Sequence, residues 1–379
     1  MLQPVKRTVD STSLPTRFGV QGKRNFFFRS VWCTFPETLT LLALNSSMKN
    51  STAPRINVPP LRLAATLVVW ALLSFSVVLA AEDPGFYPGK LRVAKAKNLS
   101  PEQREVEARF AAYLEARTDE AIARYVERYG KEINTDNVRE LSSDYAPGGM
   151  DANDPPTVAA RTRWGDAVHE PASALTREIY RRALRKETPS DRRKQVVFTA
   201  GGAGAGKTTS IRKLTDLSHA VDAAEIVYDT ILSSFRSSVE RISPALDAGR
   251  MVSIVFIYRD PIDSFVDGLL PRAKSIGRTL PLDVFLNSHV GSIEALPRIA
   301  EHYKDDRRVA IAVIDNSRGV EKATVADLEF AKMMARKYTR EDLKTKLLRA
   351  LEDAHEKGKK GATDGISENI YRAIKGHAS

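Results

Sequence analysis

Eight residues, 201–208, constrain this 379-residue chain more than any other part of its sequence. They read GGAGAGKT and fit the pattern G-x-x-x-x-G-K-[ST] of a phosphate-binding loop (P-loop) at every fixed position. An apolar run at 195–200 (QVVFTA) precedes them, as expected of a buried parallel strand, and 211–217 continues as a helix. The order of strand, glycine-rich turn and helix predicts a nucleotide-binding α/β fold.

The composition of this loop has a direct chemical reason. Glycines let backbone N–H groups curl around an anionic phosphate without Cβ clashes, and the following helix directs the positive end of its dipole at the same anion. We expect ATP or GTP to bind here, with Lys207 reaching the β- and γ-phosphates and Thr208 ligating Mg²⁺. The residues expected to contact the nucleotide are Gly201, Gly202, Ala203, Gly204, Ala205, Gly206, Lys207, Thr208 and Thr209.

The rest of the chain predicts the architecture around this loop. Apolar runs predict strands at 226–228, 253–258 and 309–314, and helices are expected over 100–130, 170–185 and 231–249. Ser100, followed by Pro101, is expected to be the N-cap of the first of these helices. Because strands alternate with helices, we predict a three-layer α/β sandwich of the P-loop NTPase type with a mostly parallel sheet. Helical extensions are expected at both ends, over 82–129 and 321–379, around a P-loop domain at 130–320.

The N-terminal region contains an uncharged run at 63–81, LAATLVVWALLSFSVVLAA. Lys49, Arg55 and Arg62 precede it, and small residues follow near its end, so 48–81 is expected to be a signal peptide or an uncleaved membrane anchor. A buried core helix is the alternative. If the segment acts as a signal peptide or as an anchor, the protein is exported or membrane-anchored. If the segment does neither, we expect a cytoplasmic protein.

Met48 stands ahead of this run at a distance natural for a signal peptide. We therefore expect translation to start there, and 1–47 to be a non-native upstream extension or disordered.

The net charge of +11 is concentrated near the N-terminus. Residues 1–81 hold nine Lys or Arg and two Asp or Glu, which leaves 49 basic and 45 acidic side chains in 82–379. Because basic and acidic side chains are nearly balanced in 82–379, this region has no general excess of positive charge for binding nucleic acid, and we expect no nucleic-acid partner. Cys33 is the single cysteine, which excludes disulfides and thiolate metal clusters within one chain.

Three segments together resemble the zeta-toxin family, P-loop kinases that phosphorylate UDP-N-acetylamino sugars with ATP. The first is 133–141 (INTDNVREL), ending in Asp144 and Tyr145, and the second is the P-loop. The third runs from 226–230 (IVYDT) through 256–261 (FIYRDP) to the arginine-bearing stretch around Arg272 and Arg278. The resemblance covers about 130–320. It implies an ATP-dependent kinase, an acceptor such as UDP-N-acetylglucosamine, and a protein antitoxin as a partner.

The resemblance also implies roles for individual residues. Asp136 is then the catalytic base, Asp229 the acidic substrate-binding residue, and Arg272 and Arg278 the arginine lid. The order of the segments departs from the family, because Asp136 lies before the P-loop instead of after it. We interpret this as a circular permutation, which leaves the strand in the same place in the sheet. Asp229 stands where the family usually has Glu, so its reach is shorter.

Each of these residues has a structural interpretation as well. Asp136 suits the N-cap of a helix, and Asp229 suits either a cap or the support of magnesium. Arg272 and Arg278 lie on a segment punctuated by Pro and Gly, expected to be a mobile loop that folds guanidinium groups over the transferring phosphate. Basic side chains on such loops are often simply solvated.

Two residues at the start of the helix expected over 170–185, His169 and Ser173, are candidates to contact the acceptor or to cap the helix. Arg259 and Asp260 are expected to form a structural ion pair. The sequence assigns no role to His289 or Asn316.

The expected function is ATP-dependent phosphotransfer to an alcohol acceptor. The alternatives are a P-loop kinase or ATPase with another small-molecule acceptor, and a non-catalytic binding module switched by a nucleotide.

Overall fold

The computed structural model describes residues 86–87 and 90–376. The predicted upstream extension, the signal peptide or anchor at 48–81 and Cys33 lie outside the described residues. Within the described ranges, no helix is both long enough and apolar enough to cross a bilayer.

A six-stranded sheet forms the centre of the fold, with strand order β3-β5-β4-β6-β7-β8. The strands are β1 Phe86–Tyr87, β2 Lys90–Leu91, β3 Glu132–Asn134, β4 Arg193–Ala200, β5 Ala224–Asp229, β6 Met251–Tyr258, β7 Val309–Asp315 and β8 Thr324–Ala326. Neighbouring strands from β3 to β7 are parallel, and β8 is antiparallel to β7. Strands β1 and β2 form a separate antiparallel pair. The predicted fold class, α/β with a mostly parallel sheet, is confirmed.

Helices occupy most of the connections between the strands of the large sheet, and three more follow the last strand. The helices are α1 Pro101–Ala116, α2 Thr118–Tyr129, α3 Thr135–Arg139, α4 Pro155–Trp164, α5 His169–Arg185, α6 Lys207–Lys213, α7 Thr215–Ala223, α8 Phe235–Asp247, α9 Pro261–Ser264, α10 Leu270–Ile276, α11 Leu282–His302, α12 Leu328–Ala335, α13 Arg340–Lys359 and α14 Glu368–Lys375. A π-helical turn, Phe265–Leu269, joins α9 to α10, and a 3₁₀ turn, Val320–Lys322, follows β7.

The central strands are apolar on both faces because both faces are covered. Successive side chains of a strand point to opposite sides, so Val196 and Phe198 of β4 enter the core shared with α5 and α8, whereas Val197 enters the core shared with α6 and α7. All three are fully buried. This explains why 195–200 has a continuous apolar pattern instead of an alternating one.

The edge strand β3 enters the sheet before the P-loop strand does. Asn134 of β3 is paired in register with Asp229 of β5, and Ile133 with Tyr228. The permutation hypothesis requires β3 to lie in this sheet, and it does.

Helix α1 starts as the sequence predicts. The Ser100 side chain accepts from the Gln103 backbone N–H, and the Gln103 side chain accepts from the Ser100 N–H in a capping box. The predicted helix over 100–130 is two helices, α1 and α2, which part at Arg117. Phe110 and Tyr125 of these helices are buried in the main core, so the predicted N-terminal extension packs against the P-loop domain.

Several elements were not predicted, among them helix α11 and strand β8. Helix α11 contains Gly291 and Pro297, which interrupt the helical pattern of the sequence. Strand β8 has three residues and pairs with β7 within a segment that was expected to be helical. Its pairing depends on β7, which a local pattern does not reveal.

A second core lies beneath the C-terminal helices. Leu343, Leu347 and Leu351 of α13 recur at helical spacing and pack with Phe265 and Phe285. The C-terminal segment is therefore an integral part of the packing around the π-helical turn.

Replacing Leu347, which is fully buried, should test this packing. We expect Leu347→Ala to lower the free energy of unfolding by about 2–5 kcal/mol, because it leaves a cavity in the second core. Arg349→Ala on the exposed side of the same helix is the matched control and should change it little. Chemical denaturation measures both, and equal effects would show that α13 is not packed as described.

Candidate functional site

The glycine-rich loop leaves β4 at the C-terminal edge of the sheet and enters α6 at Lys207. Three of its glycines have a positive φ, 126° at Gly201, 74° at Gly204 and 78° at Gly206. At Gly204 a Cβ atom would also overlap the carbonyl oxygen of Ser264. The curvature of the loop therefore requires glycine at these positions.

The first turn of α6 presents unused amides. Its N-cap is Gly206, and no side chain caps the helix. Within the described part of the chain, the backbone N–H groups of Lys207, Thr208 and Thr209 donate to no protein acceptor. The side chains of Thr208 and Thr209 are exposed. Free donors at the positive end of a helix dipole are suited to bind an anion such as phosphate.

Lys207 lies beside the acidic end of the neighbouring strand. Its Nζ is 3.5 Å from Oδ1 of Asp229, the last residue of β5. The Thr199 hydroxyl donates to the same oxygen at 2.9 Å, and Asn134 Nδ2 donates to Asp229 Oδ2 at 2.8 Å. Hydrogen bonds from the ends of β4 and β3 thus hold the carboxylate at the end of β5, and this carboxylate orients Lys207 next to the loop.

Asp136 is not the N-cap of its helix. Asn134 is the cap of α3, and its Oδ1 accepts from the Asp136 backbone N–H at 2.8 Å. The Asp136 carboxylate is therefore not used for capping, and the capping interpretation of this residue is wrong. It lies 3.4 Å from Arg139 and 3.8 Å from Arg272 instead.

The charges around Asp136 determine its protonation. Burial acts to raise the pKa of the Asp136 carboxyl group, but the guanidinium groups of Arg139, Arg278 and Arg272 outweigh it and hold the pKa well below its usual range. The Asp136 carboxylate is consequently ionised at neutral pH. With 38% of the side chain exposed, it faces solvent and is accessible to a small molecule.

The two lid candidates are held differently. Arg272 lies in α10 with 44% of its side chain exposed, 3.8 Å from Asp136. Arg278 is 18% exposed and donates to Glu140 Oε1 at 2.5 Å. The mobile loop expected for both is therefore not observed: Arg272 belongs to a helix, and Arg278 is anchored.

Glu140 is a buried hydrogen-bond acceptor that no sequence pattern singled out. Its side chain is 1% exposed, and it binds Arg278 and Arg161, the latter also 1% exposed, at 3.2 Å. Its second oxygen accepts from the backbone N–H of Asp151 at 2.7 Å. One carboxylate thus fixes the base of the arginine cluster. Nothing local distinguishes it from other glutamates, because its partners are remote in the chain.

His169 and Ser173 lie on the first turns of α5, near the same cluster. An Arg139 guanidinium nitrogen donates to His169 Nδ1 at 2.6 Å, so Nδ1 is unprotonated. Desolvation and the charge of Arg139 lower the pKa of His169 to about 4, in agreement with a neutral ring. Ser173 accepts from Arg177 at 3.0 Å.

The expected pair between Arg259 and Asp260 is not formed. Arg259 pairs with Asp267 at 2.8 Å, whereas Asp260 accepts from Lys337 at 2.5 Å and caps α9 through the Ile262 N–H. Adjacent residues at the end of β6 diverge, so each finds a partner on a different helix or turn.

The site has the groups that a nucleotide and its magnesium ion require. A Cβ atom at Gly204 would collide with the Ser264 carbonyl oxygen and one at Gly206 with the Asn316 side chain, so the loop keeps its curvature only with glycine there, and its helix offers free amides. Thr208 presents a hydroxyl group next to Lys207, as a Mg²⁺ ligand does in P-loop proteins. Across the described ranges, no three His, Cys, Asp or Glu side chains are grouped to hold a metal on their own.

Comparisons with known proteins give a remote likeness. No family model and no curated protein matches the chain. Three solved complexes of AvrRxo1-ORF1 and AvrRxo1-ORF2 are similar at 14% identity. The complex with sulphate ions has a TM-score of 0.33 and covers 52% of this chain and 82% of the other. The complex with ATP has a TM-score of 0.34 and covers 52% of this chain and 81% of the other. The native complex has a TM-score of 0.34 and covers 57% of this chain and 94% of the other. So remote a likeness carries no function over.

Neutralising Glu140 should destabilise the protein strongly. Glu140→Gln leaves Arg161 and Arg278 without their shared counter-charge, so we expect the free energy of unfolding to fall by about 3–5 kcal/mol. Glu301→Gln removes one partner of an exposed pair with Lys304 and should have little effect. Urea unfolding of both variants decides the matter, and a wild-type midpoint for Glu140→Gln would contradict the assigned cluster.

Proposed function

We propose that this protein is an ATP-dependent phosphotransferase that transfers the γ-phosphoryl group to a hydroxyl group of a small molecule. The observation that carries the proposal is the placement of two functional groups on one sheet edge. A P-loop with free amides and Lys207 lies on one side, and the ionised Asp136 lies among arginines on the other. The pairing of β3 with β5 brings them together.

The P-loop half of the site accounts for the nucleotide. The amides at the start of α6 bind phosphate oxygens, and the Lys207 ammonium neutralises charge on the β- and γ-phosphates. Thr208 would hold Mg²⁺, which supplies further neutralisation of phosphate charge when bound. Asp229 keeps Lys207 at the loop through the contact at 3.5 Å. GTP would satisfy the same phosphate contacts.

The other half accounts for the acceptor. The acceptor hydroxyl oxygen forms a bond to the γ-phosphorus while the bond from that phosphorus to the β-γ bridging oxygen breaks, and the hydroxyl proton passes to Asp136. Because the Asp136 pKa is low, the carboxylate chiefly orients the hydroxyl and takes its proton late. Arg272, partly exposed and 3.8 Å from Asp136, stabilises charge on the transferred group. Arg278 acts at longer range from its anchored position.

For the acceptor itself we propose a UDP-N-acetylamino sugar, UDP-N-acetylglucosamine being the first to test. The support is the resemblance of 133–141, the P-loop and 226–230 to the zeta-toxin family. His169 and Ser173, close to the arginine cluster, are proposed to contact it. The same resemblance supports a protein antitoxin as a partner, and the apolar run at 63–81 supports export or membrane anchoring.

Removing the Lys207 ammonium should abolish transfer. We expect Lys207→Ala to lower the rate by at least about a hundredfold, because charge on the phosphates is left uncompensated. Lys213→Ala in the same helix is the matched control, since Lys213 pairs with Glu321 on the surface. The assay follows radiolabelled phosphate from ATP to UDP-N-acetylglucosamine with Mg²⁺ and the full chain.

The products of this assay separate the alternatives. A phosphorylated sugar supports the proposal, and free phosphate alone indicates an ATPase or a kinase with another acceptor. Nucleotide binding without turnover indicates a binding module. Near-normal activity in Lys207→Ala would overturn the proposed role of the loop.

Removing the proton acceptor should affect turnover and spare nucleotide binding. Asp136→Asn keeps the size of the side chain, and we expect kcat to fall by about one hundredfold to ten-thousandfold while the Kd for ATP changes little. Asp144→Asn, at a carboxylate that pairs with the exposed Arg109, is the control. Steady-state kinetics and calorimetry measure the two quantities. A normal kcat in Asp136→Asn would exclude this residue as the base.

A further inference from the structure

The back of the P-loop, the side turned towards the protein interior, is held by three buried side chains. His289 Nε2 lies 2.8 Å from the Ala203 carbonyl oxygen, and Asn316 Nδ2 donates to the Ala205 carbonyl oxygen at 2.8 Å. The Ala203 backbone N–H donates to the Ser288 hydroxyl at 3.2 Å. His289 and Ser288 belong to α11, and Asn316 follows β7, so two separate elements hold alternate residues of one loop.

The protonation of these groups follows from their partners. A carbonyl oxygen only accepts, so His289 must carry its proton on Nε2. The Ser288 hydroxyl donates to the Phe285 carbonyl oxygen at 2.7 Å and is therefore an acceptor for the loop. Burial lowers the pKa of His289 to about 4, and the ring is neutral at physiological pH.

Because peptide bonds are planar, these contacts also determine which way the N–H groups on the other face of the loop point. In a planar trans peptide the C=O of one residue and the N–H of the next point in opposite directions. The Ala203 and Ala205 carbonyls are turned into the protein, so the N–H groups of Gly204 and Gly206 are turned outward. Those are the directions in which a loop amide must point to bind phosphate.

The packing leaves His289 little freedom to move away. It is 5% exposed, and its ring lies so close to Gly202 that a Cβ atom there would overlap it. The ring also packs against Phe285, with centroids 4.6 Å apart. Asn316 is fully buried, and its backbone N–H donates to the Tyr258 carbonyl oxygen at 2.7 Å. The donors are thus fixed before any ligand arrives.

We propose that His289 and Asn316 are positioning residues of the phosphate site, which preset the outward amides of Gly204 and Gly206 by binding the carbonyls behind them. The inference rests on the proposed function for the identity of the ligand, a triphosphate. It assigns function to two residues that touch neither the nucleotide nor the acceptor. The fixed amides bind phosphate without first reorganising the loop, which favours affinity.

The experiment measures affinity for phosphate apart from catalysis. The full chain is titrated by calorimetry with Mg·ATP and, separately, with inorganic tripolyphosphate. His289→Leu removes the donor and keeps an apolar side chain, whereas His289→Gln keeps an amide that can reach Ala203. We expect His289→Leu to weaken both ligands by about tenfold or more and His289→Gln to restore most of the affinity. Asn316→Leu should weaken both ligands in the same way.

The control is Ser292→Ala, because Ser292 is equally buried in α11 and its hydroxyl donates to the His289 carbonyl oxygen rather than to the loop. Thermal unfolding establishes that each variant is folded at the assay temperature, and Asn316→Leu replaces His289→Leu if the latter is not. Normal affinity in the folded variant overturns the proposal, as does an equal loss in Ser292→Ala.

Failure of the proposed function gives a different result. A wild-type chain that binds tripolyphosphate but transfers no phosphoryl group contradicts the phosphotransferase and leaves the positioning role to be decided by the same variants. A wild-type chain that binds neither ligand overturns both.

Discussion

The hydrogen bond from Asn134 Nδ2 to Asp229 Oδ2 crosses the sheet edge and joins the two halves of this site. On one side Asp229 holds Lys207 beside the P-loop, and on the other Asn134 caps α3 and so determines where Asp136 lies. The bond is possible because β3 and β5 are parallel and end together. A base and a phosphate site that are far apart in the chain thereby become neighbours in space.

The positive charge of the guanidinium groups at this edge is only partly compensated by carboxylates. Asp136 faces Arg139, Arg272 and Arg278, while Glu140 answers Arg278 together with Arg161. The guanidinium groups outnumber the carboxylates, so the cluster keeps the Asp136 pKa low and retains attraction for an incoming anion. A phosphate-bearing ligand would complete the balance of charge, which fits a site whose proposed reaction moves a phosphoryl group.

The parts of this structure that depend on local pattern could be predicted from the sequence. The apolar run before the P-loop, the glycines within it and the Ser100 cap all act through neighbouring residues, and each was placed correctly. Glu140, His289 and the β8 pairing depend on partners remote in the chain, so no local signal marks them. Asp136 marks the limit of prediction from local sequence, because the same residues are equally compatible with a helix cap and with a carboxylate that is not used for capping.

Arg272 and Arg278, six residues apart in one segment, differ in how firmly they are held. Gly277 ends α10 with φ of 73°, in a place where a Cβ atom would overlap the Val158 carbonyl, and so the chain can turn tightly between Arg272 and Arg278. Arg278 then reaches Glu140 and is immobilised, whereas Arg272 stays on the helix and half exposed. A buried, paired guanidinium sets the local potential at low cost in reorganisation. An exposed one is free to follow charge as it develops, which a fully anchored side chain cannot do.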